Sequence, residues 1–529
     1  MAEAAAATAT AGGAPAADPP MDKRRLIAFI AMVFGMFMAI LDIQVVSASL
    51  LDIRAGLSAS ADEISWVQTS YLIAEVIMIP LSGFLARLFS TRWLFCASAA
   101  GFTAASLLCA TATNLDQMII YRAIQGFIGG GMIPSVFAAA FTIFPPSKRA
   151  IISPVIGLVA TMAPTIGPTV GGLLTEYLSW HWLFLINVIP GTIVAVVTGL
   201  LINFDQPNLK LFRQFDWFGL LYMGGFLGSL EYALEEGPNN DWFDDRAVLA
   251  CAVVGSVCAV LFFWRALTTK YPIVSLTAYA NRNFAAGSAF SFILGIGLYG
   301  LTYVYPQYLG QIRGYNALQI GETMFVTGLV MFIMAPITGV LSRKVDLRYL
   351  MAAGFGIFAC STWMVTSLTA DWDFWELFFP QILRGMGLML CMIPITNIAL
   401  GTLSPVELRS ASGLFNLTRN LGGAVGLALI GTAYNDRLNL HLQRLHDSAN
   451  WARSTTTDYL HTMTAAFSSL GSDGSQTEAL QQMSRVVRRQ AVVMSFADVF
   501  FLLTCLFVVA TFCIAILRKP AAAAGGGGH

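Results

Sequence analysis

Pro80-Leu81-Ser82-Gly83-Phe84-Leu85-Ala86-Arg87, running on to Arg92-Trp93-Leu94, returns as Pro336-Ile337-Thr338-Gly339-Val340-Leu341-Ser342-Arg343, running on to Arg348-Tyr349-Leu350. The two stretches lie 256 residues apart. In each, an apolar run ends at Pro-x-x-Gly, a small cationic turn follows, and a second apolar run begins after the second arginine. The unit reads as helix, short basic loop, helix, and its duplication marks a chain assembled from repeats.

The rest of the sequence places that repeat in a bilayer. Of 529 residues, 56% are hydrophobic and only 11% charged, with a mean hydropathy of +0.68, too little polar surface to cover a soluble globule of this size. The expected class is an all-α polytopic membrane protein. Thirty basic residues balance thirty acidic ones, so no net field points to a nucleic-acid partner. All eight cysteines fall inside apolar runs and none forms a Cys-x-x-Cys pair, which argues against a disulfide framework and against a zinc site.

Apolar runs of about twenty residues fall near 26–50, 64–86, 93–112, 117–141, 151–174, 182–203, 217–235, 247–267, 284–305, 319–341, 348–369, 376–402, 410–432 and 494–517. Basic residues collect on alternate connections: Lys23 to Arg25, Arg87 with Arg92, Lys148 with Arg149, Lys210 with Arg213, Arg265 to Arg282, Arg343 to Arg348, Arg409, and Arg518 with Lys519. The opposite short loops carry only Arg54, Arg246 and Arg313. The positive-inside rule then predicts an even number of spans and two cytoplasmic termini.

The repeat adds more. Its copies end the second and tenth spans, so two helices are expected between two six-helix halves. Ile133-Pro134 with Ile393-Pro394, and Pro145 and Arg149 with Pro405 and Arg409, repeat at an offset of 260. The predicted organisation is a loose N-terminal tail at 1–25, a first bundle at 26–203, two inserted helices with linkers at 204–282, a second bundle at 283–518 and a flexible tail at 519–529. Within the second bundle, the polar stretch 433–493 is long for a connector; it contains helix-like segments at 438–446 and 478–489 and suggests a docking element, a cap or a solvated loop.

No motif for primary energy transduction or catalysis appears. There is no Walker A sequence, and the Gly-x-Gly-x-x-Gly at Gly295, Gly297 and Gly300 lies inside an apolar run, where helix packing explains it. His441 and His446, five apart, do not share a helix face. An enzyme, a cofactor and a bound metal are therefore not expected. Ion-coupled movement of a solute is, and it needs ionisable groups inside the membrane.

Such groups are present. Asp42 lies deep in the first span and Arg122 early in the fourth, which runs the opposite way, so the two reach similar depth and are able to pair. A charge at the centre of a span costs about 2.5 to 3.5 kcal/mol on insertion scales, so it is seldom decorative. Glu75 sits nearer the middle of the second span, where a desolvated carboxyl is placed to load and release a proton near neutral pH. Glu231, and Arg419 with Asn416 and Asn420 beside it, are second-rank candidates; a structural role accounts for them equally well. In the fifth span, Gly167-Pro168-Thr169-Val170-Gly171-Gly172 bares one helix face for close packing and weakens the local ladder.

Leu41-Asp42 with Val45-Val46, Trp66-Val67, Pro80 to Gly83, Arg122-Ala123-Ile124-Gln125-Gly126, Gly167-Pro168 with Gly171-Gly172, and Trp180 to Phe184 together resemble the motif series of the major facilitator superfamily, most nearly its fourteen-helix drug:proton antiporter branch of the EmrB/QacA type. The likeness runs on through Asn281 to Phe284 and Asn416 to Arg419, over nearly the whole chain. It implies two six-helix bundles plus two central helices, and export of hydrophobic or cationic drugs across a bacterial inner membrane against proton entry. It links Asp42 to proton or cation handling, Arg122 to coupling, and Gly167 with Pro168 to antiport geometry; the loops holding Gly83, Arg87, Arg92, Gly339, Arg343 and Arg348 become gates. Protons would be the coupling ion, and a periplasmic adaptor with an outer-membrane channel the implied partners. The chain departs from the pattern in two places. Arg87 and Arg343 stand where the family's loop carries an acid, and Gln44, Ser47 and Leu51 replace the Thr, Asn and Pro of the first-span motif. An exporter of a single metabolite or siderophore, and a non-transporting sensor or scaffold, are the competing expectations.

Overall fold

The computed structural model describes residues 23–60, 63–144, 146–203, 205–401, 403, 405–449, 453–469 and 475–515. The tail expected at 519–529 and most of that at 1–25 lie outside these residues; Lys23 to Arg25 open the first helix. The described chain is helical throughout: α1 (Lys23–Ala48), α2 (Leu50–Leu57), α3 (Trp66–Ala110), α4 (Leu115–Gly129), α5 (Met132–Ile143), α6 (Pro146–Tyr177), α7 (Trp182–Leu185), α8 (Val188–Leu201), α9 (Trp217–Glu236), α10 (Arg246–Thr268), α11 (Arg282–Tyr308), α12 (Ala317–Lys344), α13 (Leu347–Val365), α14 (Phe374–Leu400), α15 (Pro405–Ser448), α16 (Ser454–Ser469) and α17 (Ser475–Ala515). Nine helices among the described residues are long and apolar enough to cross a membrane by length and composition. One of them, α3, folds back on itself and supplies two passes, the second and third predicted spans.

That fold-back is the first copy of the repeated loop. Its turn is centred on Ser90, whose φ of 76° breaks the helix. A carboxylate reaches the turn from another segment: Asp205 Oδ2 accepts from Thr91 N and Thr91 Oγ1, both at 2.7 Å. The second copy is held from within, with Asp346 capping α13 at Arg348 N and pairing with the Arg348 guanidinium at 3.0 Å.

Helix starts follow their caps. Asn114 accepts from Gln117 N, Asp216 from Gly219 N and Asp245 from Ala247 N and Val248 N. Asn316 with Gln319 and Asp373 with Glu376 close full capping boxes at α12 and α14. Asp216 also pairs with Arg265 at 2.5 Å and so ties α9 to α10 at their shared end.

The two bundles meet along α6 with α12, and along α3 and α5 with α15. The Phe137 and Phe415 rings touch across this interface, their centres 6.3 Å apart. Of the two helices between the bundles, α9 packs on α3, whereas α10 leans on α9 and turns Val253, Val260 and Leu267 outward, as a lipid-facing helix does. The outer turn between them docks on α15, where Trp242 Nε1 donates to Thr432 Oγ1 at 2.8 Å and Asn435 Nδ2 to the Pro238 carbonyl at 2.8 Å.

The polar stretch 433–493 is mostly helix. α15 continues to Ser448, α16 spans 454–469 and α17 begins at Ser475, so both predicted helix-like segments belong to long extensions of neighbouring spans. His441 Nε2 lies 3.0 Å from Asp498 Oδ2, and Arg437 Nε 3.5 Å, which binds the two extensions together. No group of three potential metal ligands occurs among the described residues.

Candidate functional site

The first bundle encloses a closed polar cluster. Arg122, fully buried, donates through Nη1 to Asp42 Oδ2 at 2.6 Å and to Gln125 Oε1 at 2.7 Å, and through Nε to the Val67 carbonyl at 3.2 Å. Asp42 Oδ1 accepts from Asn187 Nδ2 at 2.7 Å and from Gln125 Nε2 at 3.2 Å; Gln125 Nε2 also donates to Ser106 Oγ at 2.7 Å. The guanidinium lies 4.2 Å from the Tyr71 ring centre, within cation–π range. The predicted pairing of Asp42 with Arg122 is present, and helices α1, α3, α4 and the turn before α8 all contribute to it. A buried ion pair of this kind repays its desolvation only when the remaining lone pairs and protons are also satisfied; here both carboxylate oxygens are, and Arg122 Nη2 alone of the pair's polar atoms has no hydrogen-bond partner among the described residues.

Glu75 lies in different surroundings. It is 3% exposed, and its Oε1 has no hydrogen-bond partner. It feels the charges of Arg122, Asp42 and Arg419, the last reached across the bundle interface. Close approach of the chain behind it is a matter of Gly129-Gly130-Gly131, the break between α4 and α5: a Cβ on Gly130 would come within 2.9 Å of the Glu75 carbonyl and 3.2 Å of its Cγ. Arg419, on α15, donates to Asn416 Oδ1 at 2.7 Å and faces the Phe137 ring of the opposite bundle at 5.5 Å.

The second bundle repeats this arrangement without the acid. Gln381-Ile382-Leu383-Arg384-Gly385 lies 259 residues after Arg122-Ala123-Ile124-Gln125-Gly126, with arginine and glutamine exchanged. Arg384, fully buried, donates through Nη2 to Thr302 Oγ1 at 2.9 Å and lies 5.3 Å from the Tyr305 ring centre; it makes no ion pair with a described residue. Thr302 stands 260 residues after Asp42.

A cavity of about 600 Å³ opens between the bundles at the end away from the basic loops. Gln44, Ser47, Gln68, Pro168, Glu235, Tyr299, Thr302, Tyr303, Gln307, Gln311 and Leu427 line it. Of the residues singled out in the sequence, Asp42, Glu75, Arg122, Arg419 and Asn416 gather below it, and Pro168 enters its wall. Gly167 and Gly171 press α6 on α1, where a Cβ on Gly171 would come within 2.8 Å of the Val45 carbonyl. Glu231 is buried on α9, one turn below Glu235. The loop residues Gly83, Arg87, Arg92, Gly339, Arg343 and Arg348 lie at the far end of the molecule, away from this site. Sequence reading missed Asn187, Ser106, Gln125 as a ligand of Asp42, Glu235, Tyr299 and Arg384. Arg384 and Glu235 are charges within apolar runs, as Asp42 and Glu75 are, and that was their signal, to which the Gln-x-x-Arg-Gly echo adds for Arg384.

The Major Facilitator Superfamily model matches residues 32–427. The chain is 42% identical over 484 residues to the colistin resistance protein EmrB of Acinetobacter baumannii, covering 92% of this chain and 94% of that one. It is 30% identical over 515 residues to the fatty acid resistance protein FarB of Neisseria gonorrhoeae, with 97% and 100% covered. To the multidrug export protein EmrB of Escherichia coli K12 it is 29% identical, with 96% and 98% covered. Among solved structures, the human organic anion transporter MFSD10 superposes with a TM-score of 0.57 at 13% identity over 92% of this chain and all of that one.

Proposed function

From a chain that belongs to the Major Facilitator Superfamily, we propose a proton-coupled antiporter that exports hydrophobic or cationic drugs across the bacterial inner membrane by alternating access. The observation that carries this reading is Glu75, a buried carboxyl with an unpartnered oxygen, placed between Arg122 of its own bundle and Arg419 of the other. A group so placed changes its interaction with both bundles when it gains or loses a proton. Asp42, by contrast, has its charge fully compensated; it fixes Arg122, and Arg122 sets the field at Glu75. The cavity between the bundles is large enough for a drug-sized solute and mixes amide, hydroxyl and aromatic groups, a lining suited to varied amphiphiles. Relatives named for colistin, fatty acid and multidrug resistance support export of such compounds. The helical extensions of α15 and α17, with α16 beside them, offer a platform for a periplasmic adaptor and, through it, an outer-membrane channel. With basic loops inward, both termini are cytoplasmic.

The test is transport in proteoliposomes under an imposed pH gradient. Wild type is expected to accumulate a lipophilic cation when the gradient is applied and Glu75→Gln to equilibrate it without accumulation. Accumulation by Glu75→Gln at the wild-type level would refute the assignment.

A further inference from the structure

We propose that the outer turn joining α9 to α10 is a clip across the cavity mouth: it stays with the first bundle, lets go of α15 when the bundles exchange states, and while docked favours the state open to the outside. The inference rests on the alternating-access reading given above. Pro238 and Asn239 of this turn line the cavity, together with Glu235 of α9 and Gly431 of α15, so the turn walls one side of the space between the bundles. The first bundle holds it through α9. Ser65 Oγ, just before α3, donates to Glu236 Oε1 at 3.0 Å, the Trp66 and Tyr232 ring centres lie 5.4 Å apart, and a Cβ on Gly228 would stand 3.4 Å from Ile73. The second bundle holds it by the tip. Trp242 Nε1 donates to Thr432 Oγ1 and Asn435 Nδ2 to the Pro238 carbonyl, each at 2.8 Å, and a Cβ on Gly431 would come within 3.0 Å of Pro238 Cβ. α9 itself also touches α15, but among the described residues the hydrogen bonds to that helix come from the turn.

The two attachments differ in kind. The one to α3 is made by regular helix. The one to α15 is made by strained backbone: Asp241 and Trp242 have φ of 51° and 58°, a left-handed pair that Asp tolerates and a bulky Trp adopts only under constraint. This reversal lays the indole over Gly237, where a Cβ would stand 2.9 Å from Trp242 Cε3, and carries its N–H to α15. No side-chain cap at Asp241 explains the reversal locally, whereas the reach to Thr432 does. Strain that lasts only while a distant contact holds it makes a two-state element. When α15 moves away the turn relaxes, and nothing on α3 has to break. Thr432 Oγ1 keeps its donation to the Ala428 carbonyl at 2.8 Å, and Trp242 and Asn435 are only half-buried, so release strands no polar group. The docked turn is found with the cavity open outward and the opposite end closed, so its contacts add to the stability of that state.

The experiment reads which state the bundles occupy, in the full chain with the eight native cysteines replaced, at equal pH and without substrate. Gly157 is buried against Met392 at the closed end, so N-ethylmaleimide reaches Gly157→Cys when that end opens. Trp242→Phe keeps a ring over Gly237 and removes the donor; Thr432→Val keeps the shape and removes the acceptor. Each is expected to speed labelling about twofold to tenfold, the population shift of one lost neutral hydrogen bond, and the two together no more than either alone. Unchanged labelling in both single variants would overturn the clip. So would a double variant whose rate is the product of the two single effects, since the side chains would then act apart. Ala99→Cys, buried within the first bundle, is the second reporter and should stay unlabelled; its labelling in Trp242→Phe would overturn the clip as general loosening. Failure of the wild type to accumulate tetraphenylphosphonium under a pH gradient would instead overturn the antiport reading; accumulation with unmoved labelling removes the clip alone.

Discussion

Asp42 and Glu75, two buried carboxyls of the first bundle, differ in their partners, and on the reading proposed above they differ in task as well. Asp42 is held by Arg122, Asn187 and Gln125, so its charge belongs to the architecture of the first bundle. Removing it leaves a buried guanidinium without its anion, a change that costs about 3 to 5 kcal/mol. Asp42→Asn is therefore expected to lower the thermal midpoint of the purified protein markedly, whereas Glu75→Gln, which exchanges a carboxyl with an unpartnered oxygen for an amide of equal shape, should shift it little. Differential scanning fluorimetry in one detergent checks both. Equal midpoints for Asp42→Asn and wild type would show that the cluster contributes nothing to stability. The sequence announced both acids, since a charge in an apolar run needs no alignment to be noticed. It could not announce Asn187 or Ser106, because a single amide or hydroxyl in a membrane helix is common and only tertiary packing brings Asn187 to Asp42 and Ser106 to the amides of Gln125 and Asn187.

At the scale of the helix, the positions of these groups depend on where backbones touch. Gly126 follows Gln125 directly, and a Cβ there would run into the Tyr71 carbonyl, an atom that cannot move without moving α3. Gly224 is the contrast: a Cβ meets only the tip of Ile77, at 3.9 Å. Gly126→Ala is expected to cost about 1 to 3 kcal/mol as an overpacked contact and to abolish coupled transport by shifting Arg122 against Asp42, while Gly224→Ala keeps both stability and transport. Transport by Gly126→Ala at the wild-type rate would contradict the close contact. Span boundaries were legible where caps and apolar runs coincide, as at Asn316 and Asp373. They were not legible at 433–493, because the extensions of α15 and α17 are polar helices whose support comes from each other, through His441 and Arg437 on Asp498, and leaves no apolar period in the sequence. The repeated loop was read correctly as helix, turn, helix; that Asp205 would supply a carboxylate to it from beyond the sixth span was not visible, since nothing in spacing links residue 205 to residue 91.

Across the whole molecule the duplication has been kept in geometry and broken in chemistry. The first bundle has Asp42 opposite Arg122; the second has Thr302 opposite Arg384. Among the described residues the buried carboxyls thus lie in the first bundle and on α9 or its cap, while α15 brings the charge of Arg419 to Glu75 from the second. On the proposed reading, proton binding at Glu75 acts on the relation between bundles, since Arg419 across the interface is among the charges it feels, after Arg122 and Asp42 of its own bundle. For this to drive transport the bundles must part at the end near the basic loops, where they are now closed. Gly157 of α6 and Met392 of α14 meet there, with a Cβ at position 157 coming within 3.4 Å of Met392 Cγ. The contact brings the two positions near enough for a cysteine cross-link to be tried. With the eight native cysteines replaced, Gly157→Cys combined with Met392→Cys is expected to cross-link on mild oxidation, to lose transport as the cross-link forms and to regain it on reduction. Each single cysteine variant should transport under both conditions. A fully cross-linked protein that still accumulates substrate would show that the bundles do not separate at this point, and that the cavity empties by a movement confined to one of them.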